Sequence, residues 1–315
     1  SGASTSDRLI VQSFRLTGAT GGGNVGSGVE IEGSGSTNYV TLDNLTLTDN
    51  AGHGIAIDHT GTMVDLVVNN CRALYNGGIG LSTPSSLSSL DGLTVTNCRF
   101  EGNASIGLWV ETASATNVAI SDTTFVNNAP GIATNGDLIL SPFNGDATIT
   151  NVEVTSNNAD SGIRISGDST GSSPDKTAAD PSGTVSLSNV TIGGNQAMAA
   201  LAISRYTNAS GISLSDVQLD STAPAGLHIG TMDGSIAIGD TTFLGTFAQG
   251  DIFLGKHRNS SNYVKATVAV DATGATFTGA ADNFAIEDRV HHALDDAHLG
   301  TVTWVASNVF VTSSS

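Results

Sequence analysis

The chain is poor in charge, in aromatic residues and in cysteine, and each shortage removes a class of protein. Charged residues make up 13% of the 315 positions, and 11 Lys and Arg stand against 29 Asp and Glu, a formal net charge of -18. That excess repels nucleic acid and anionic membrane surfaces, so neither is expected as a partner. Two cysteines supply neither a disulfide framework nor a zinc site. With aromatics at 5%, a core has to be assembled from aliphatic side chains. No apolar run approaches the roughly 18 residues that span a bilayer. The opening SGASTSDRLIV also lacks the basic and apolar regions of a signal peptide. No Asp cluster has EF-hand or RTX spacing, so the acidity reads as a solvated surface. No cofactor is expected, and calcium enters only as a weakly bound ion.

What the chain has instead is glycine, 38 residues of it, and a period. Asn44, Asn70, Asn97, Asp122, Asn151, Asn189, Asp216 and Asp240 follow one another at intervals of 26, 27, 25, 29, 38, 27 and 24 residues. Apolar residues recur four and two positions before each of them, and one and three positions after. Val40, Leu42, Leu45 and Leu47 set the pattern, Leu93, Val95, Cys98 and Phe100 repeat it, and Ile236, Ile238, Thr241 and Phe243 close it. Alternation on each side of the anchor means two short strands. Between the strands the inward step is three residues rather than two, so the chain has to bend at the anchor, and Asn and Asp tolerate the left-handed conformation of such a bend.

A second polar series follows six residues later, at Asn50, Asn76, Asn103, Asn128, Asn157 and Asn195, continued by Thr222 and Thr246. A third strand begins at GIAI from Gly54, GLWV from Gly107, GIRI from Gly162, GLHI from Gly226 and DIFL from Asp251. Three strands per coil of about 27 residues predict an all-β, right-handed parallel β-helix of about ten coils with asparagine ladders at its bends. Hairpin signals are missing, which disfavours a β-sandwich. The solenoid is expected to occupy residues 1–286, with a flanking surface loop at 167–183 inside the 38-residue interval. A closing segment and terminal strand, 287–315, is expected to lead to a further module. Cys71 and Cys98 fall at one inward position of adjacent coils and are expected as stacked core thiols.

Basic residues, with one tyrosine among them, gather on the third strand and the turn after it in the carboxy-terminal half: Arg164, Arg205, Tyr206, His228, Lys256, His257 and Arg258. Stacking brings them within a few rungs, as a glycan-contact patch. In a lyase or epimerase such a group would abstract a sugar proton while nearby cations neutralise the uronate. The partner acid would have to come from Asp168, Asp233 or Asp251, which are scattered. No carboxylate pair recurs on one strand as two-carboxylate hydrolysis requires. No catalytic residue is therefore assigned.

The ladders and the G-I-x-I strands resemble the pectin-lyase-like superfamily of right-handed parallel β-helices, which includes lyases, epimerases, tailspikes and surface adhesins. The stretch FAIEDRVHHALDDAHLGTVTWVASNVFVT, residues 284–312, resembles the junctions between modules of very large repetitive bacterial surface or matrix proteins. That resemblance implies a non-enzymatic structural or adhesive module, extracellular or at the cell surface, with neighbouring modules, identical subunits end to end, or polysaccharide as partners. The alternatives are a polysaccharide lyase or epimerase and a glycan-binding tailspike-like module.

Overall fold

In the computed structural model the chain is a solenoid of parallel strands, and the structure describes residues 9–21, 26–112, 114–128, 136–141, 143, 145–157, 159–166, 183–206, 211–255, 257–259, 262–264, 267–277, 284–286 and 301–304.

 

Within strands, the side chains of residues 204–206, 230–235, 254–255, 257–259, 262–264, 267–269, 284–286 and 301–304 lie outside the description. All described regular structure is strand.

Each coil carries three faces. The first face is built from Leu9–Gln12, Ser36–Asp43, Thr62–Asn69 and Ser89–Thr96, then from the opening residues of Ala115–Val126, Ala147–Asn157, Val185–Asn195 and Ile212–Ala237. Its strands pair in parallel register, Leu9 with Val40, then Leu66, Leu93, Val118, Ala147, Val185 and Ile212. These seven steps are the continuous stack, about seven turns rather than the ten expected. They span 203 residues (212 minus 9), or 29 per turn, because the first interval and the 38-residue interval are long. Pairings of Ile236 with Val270 and of Val270 with Trp304 extend the same row.

The eight anchors predicted at the bends all have left-handed backbones, with φ between 49° and 55°. Ser13, φ 60°, stands in the same place in the first coil and accepts a hydrogen bond from Asn44 Nδ2 at 3.2 Å. Because each anchor turns the strand without using an inward position, the four flanking positions of all eight repeats point inward, and every one is at most 3% exposed. Rings at one inward position stack between coils, Phe100 on Phe125 at 5.2 Å and Phe243 on Phe277 at 4.9 Å. Cys71 and Cys98 are buried free thiols, with Cys71 N donating to Cys98 Sγ at 3.4 Å.

The second polar series divides in two. Asn50, Asn76, Asn103 and Asn128 are buried, and each Nδ2 donates to the next acceptor up the stack: Asn50 to Asn76 at 2.9 Å, Asn76 to Asn103 at 2.9 Å, and Asn103 to Asn128 at 2.7 Å. The other proton of Nδ2 goes down to a backbone carbonyl, as from Asn76 to Leu47 at 3.0 Å and from Asn103 to Ala73 at 3.0 Å. Space for these amides comes from Gly54, Gly80 and Gly107, where a Cβ would lie 2.9–3.2 Å from an Asn Nδ2. Asn157, Asn195, Thr222 and Thr246 keep the expected mutual register, but they lie toward solvent. The cause is local. A left-handed residue, Asp49, Tyr75, Gly102 or Asn127, precedes each buried Asn and resets the alternation, whereas Ala147–Asn157 has none after Asn151. Ser156 therefore turns inward in place of Asn157.

Asn70 and Asn97 are exposed, so the bend series acts through backbone conformation rather than through burial. Residues 167–182 of the expected loop and 287–300 and 305–315 of the expected closing segment lie outside the described residues.

Asn76→Ala and Asn103→Ala each strand buried donors and acceptors, and should cost about 1–3 kcal/mol in urea unfolding. Asn195→Ala, exposed, should stay within about 0.5 kcal/mol. Equal losses at the three positions would contradict the division of the ladder.

Candidate functional site

The third face carries the candidate site. Its strands include Ile55–His59, Leu81–Thr83, Leu108–Val110, Gly136–Leu140, Ser161–Ser166 and Ala199–Tyr206, followed by the Ala225–Gly230 stretch and Thr246–Gly255. Inward positions such as Leu108, Ile163 and Leu227 join the core. The residue between them, the x of each G-I-x-I, points away from the coil interior, and register stacks these residues in one row: Ala56, Ser82, Trp109, Ile139, Arg164, Ala202, His228 and Phe253. Ala56, Ile139, Ala202 and Phe253 are nevertheless buried, in small clusters outside the main core for the last three, while Ser82, Trp109, Arg164 and His228 are half-buried. With parallel strands about 4.8 Å apart, the five steps from Trp109 to Phe253 cover about 24 Å along the axis.

The row is ordered by its own contacts. Trp109 Nε1 donates to the Ser141 carbonyl at 2.7 Å, and the indole packs with Ile79, Ile106 and Ile139. His228 stacks on Phe253 with ring centroids 5.4 Å apart and 27° between planes. Arg164 stands between these aromatic ends, two steps from His228. Burial raises the Asp160 carboxyl above its usual range, while the Arg164 guanidinium pulls it down. At the other end of the face the charge is reversed. Glu30, Glu32 and Asp58 lie there, and burial, then the charges of Glu32 and Asp58, push the Glu30 carboxyl up.

Of the expected patch, Arg164 and His228 are brought into one row. Arg205 and Tyr206 end the strand of the intervening coil, with Tyr206 in register with Met232. His257 and Arg258 belong to an antiparallel pair, His257–Asn259 with Asn262–Val264, directly after the strand that carries Phe253. Lys256 lies outside the described residues, as does Asp168, and Asp233 is described by its backbone alone. Trp109, Ile139 and Phe253 were missed because a patch sought by charge passes over apolar residues. The third letter of each strand motif was the signal.

Asp251 does not line this row. It is 1% exposed, aligned with Gly226, whose Cβ would meet Phe243 and Phe247. Asp137 takes the corresponding glycine position four coils earlier. Its Oδ1 accepts from Asn128 N at 2.8 Å and Nδ2 at 2.6 Å, ending the buried ladder. Both carboxyls are pushed up to about 6 by burial. Among the described residues no group of three or more His, Cys, Asp or Glu is arranged to hold a metal ion.

Residues 4–141 match the family model described as right handed beta helix region. The solved A-module of mannuronan C-5 epimerase AlgE4 from Azotobacter vinelandii is similar at 12% identity and a TM-score of 0.41, over 99% of this chain and 92% of that one. No curated protein matches the chain.

The raised carboxyls set a pH dependence. A folded carboxyl of pKa about 6 holds its proton more tightly than the unfolded one near 3.8, so stability should rise as pH falls through 6 and level off below about 4. The gain is at most about 3 kcal/mol per group. Asp137→Asn should raise the melting temperature at pH 7 and flatten part of this profile; an unchanged profile would show that Asp137 is not the titrating group.

Proposed function

We propose that the chain is a non-enzymatic, extracellular structural or adhesive module whose third face binds an extended acidic polysaccharide. The observation that carries this reading is the row in which three half-buried side chains, Trp109, Arg164 and His228, lie in register, with His228 backed by the buried Phe253. Aromatic rings offer apolar surface to the C–H faces of sugars, and a guanidinium pairs with carboxylates. A row about 24 Å long parallel to the axis suits a linear polymer rather than a compact ligand. Of the carboxylates that deprotonation chemistry would draw on, Asp251 is enclosed in a corner of the coil, as is Asp137. A polysaccharide lyase or epimerase is the second reading, favoured by Arg164 beside Asp160.

Affinity electrophoresis in alginate and pectate, with assays for unsaturated products and for C5 inversion, separates the two. Salt-sensitive retardation without turnover is expected, and Arg164→Ala with His228→Ala should weaken it at least tenfold. Turnover abolished by the same substitutions would establish the enzyme instead.

The module reading extends to end-to-end assembly with a neighbouring module or an identical subunit. Leu9 and Phe14 occupy the rows of Val40 and Leu45, yet each is 58% exposed. Sedimentation over a wide concentration range should show self-association that Phe14→Ser reduces; a strictly monomeric chain would reject the assembly.

A further inference from the structure

A second surface lies on another face, at the bend that follows the second strand. Among the residues with positive φ there are Asp49, Tyr75, Gly102 and Asn127, at 50° to 63°. Three are of types that tolerate the conformation, while a bulky residue is strained in it. Tyr75, φ 54°, is the bulky one, and it is 54% exposed, so core packing does not account for it.

Its ring is held in place. Cδ1 and Cε1 lie over Gly102, 2.4 Å and 2.6 Å from where a Cβ would stand, so a side chain at 102 would displace the ring. The phenol donates to Glu101 Oε1 at 2.8 Å, and Glu101 Oε2 accepts from Arg99 Nε at 2.7 Å. These bonds, Arg99 first and Tyr75 second, keep the Glu101 carboxyl below its usual range. Arg72 is exposed and in register with Arg99.

We infer that Tyr75, with Arg72 and Arg99, forms a second saccharide-contact site that takes a uronate-bearing sugar. The ring is an immobilised platform for the C–H face of the pyranose, and Arg72 supplies a cation for its carboxylate. The left-handed backbone itself serves the burial of Asn76, but the fixed ring is left over for binding, and holding it in advance lowers the entropy lost when a ligand docks. The site is independent of the third face, and stands whether or not that face binds glycan.

The test uses the full chain carrying Arg164→Ala and His228→Ala, so that the third face does not contribute, with a galacturonate trimer and cellotriose as probes. Titration should shift the Tyr75 ring protons and the Gly102 amide in NMR spectra, more strongly with the uronide. Tyr75→Gly suits the left-handed backbone, so it should keep or raise the melting temperature while weakening uronide binding at least tenfold. Arg72→Gln should reduce the preference for the uronide over cellotriose. Unchanged affinity in Tyr75→Gly, or no Tyr75 shift at saturating uronide, overturns the proposal. If Tyr75→Gly melts well below the parent, the ring shifts of the chain with Tyr75 intact decide alone: their presence upholds the site and their absence removes it.

Discussion

The fold depends on a backbone conformation that most residues avoid. At eight successive first bends an Asn or Asp adopts φ near +50°, with Ser13 at 60° in the coil before them, so that two strands meet at an angle with both apolar sets still facing one interior. For most L-residues this conformation costs about 1–2 kcal/mol, whereas Asn and Asp visit it more readily because a short polar side chain can bond locally. The stack adds a second benefit, since Asn151 Nδ2 reaches Asp122 Oδ1 at 2.9 Å and Asn189 Nδ2 reaches Asn151 Oδ1 at 2.8 Å. The exposed ladder thus follows from the bend rather than causing it.

The buried ladder obeys a stricter rule. An amide enclosed in the corner of a coil has to place two protons and an acceptor without water. Asn76 does so by donating up to Asn103 Oδ1, down to the Leu47 carbonyl, and by accepting from Asn50. Any coil that breaks the series must supply a substitute acceptor, and Asp137 does this for Asn128. The substitute is a carboxyl in an apolar corner, which is why its proton is held so much more tightly than usual.

Much of this was legible in the sequence, because the first bend and its flanking positions have a fixed spacing. All eight anchors and the inward positions around them could be read from the period alone. The fate of Asn157 could not. The buried Asn50, Asn76, Asn103 and Asn128 each follow a residue with φ between 50° and 63°, which Asn157 lacks, and Asp49, Tyr75, Gly102 and Asn127 share no side-chain chemistry that would announce it. The candidate site was legible in part for a related reason. Charge drew attention to Arg164 and His228, but the geometric row includes Trp109, Ile139 and Phe253, which a search for cations does not select.

The same regularity that fixes the core leaves the outside free. An inward position is constrained by the coil above and the coil below, so its side chain can change only within a narrow range of volume. A position pointing away from the interior is less constrained, and the row carries the buried Ala56 and the half-buried Trp109, Arg164 and His228 on the same backbone. Charge can therefore be graded along the axis without disturbing the fold. The third face begins with Glu30, Glu32 and Asp58 and reaches Arg164 and His228 several coils later. A polyanion laid along it would meet repulsion at one end and attraction at the other, so its position along the axis would be set by electrostatics before any contact with Trp109 is made.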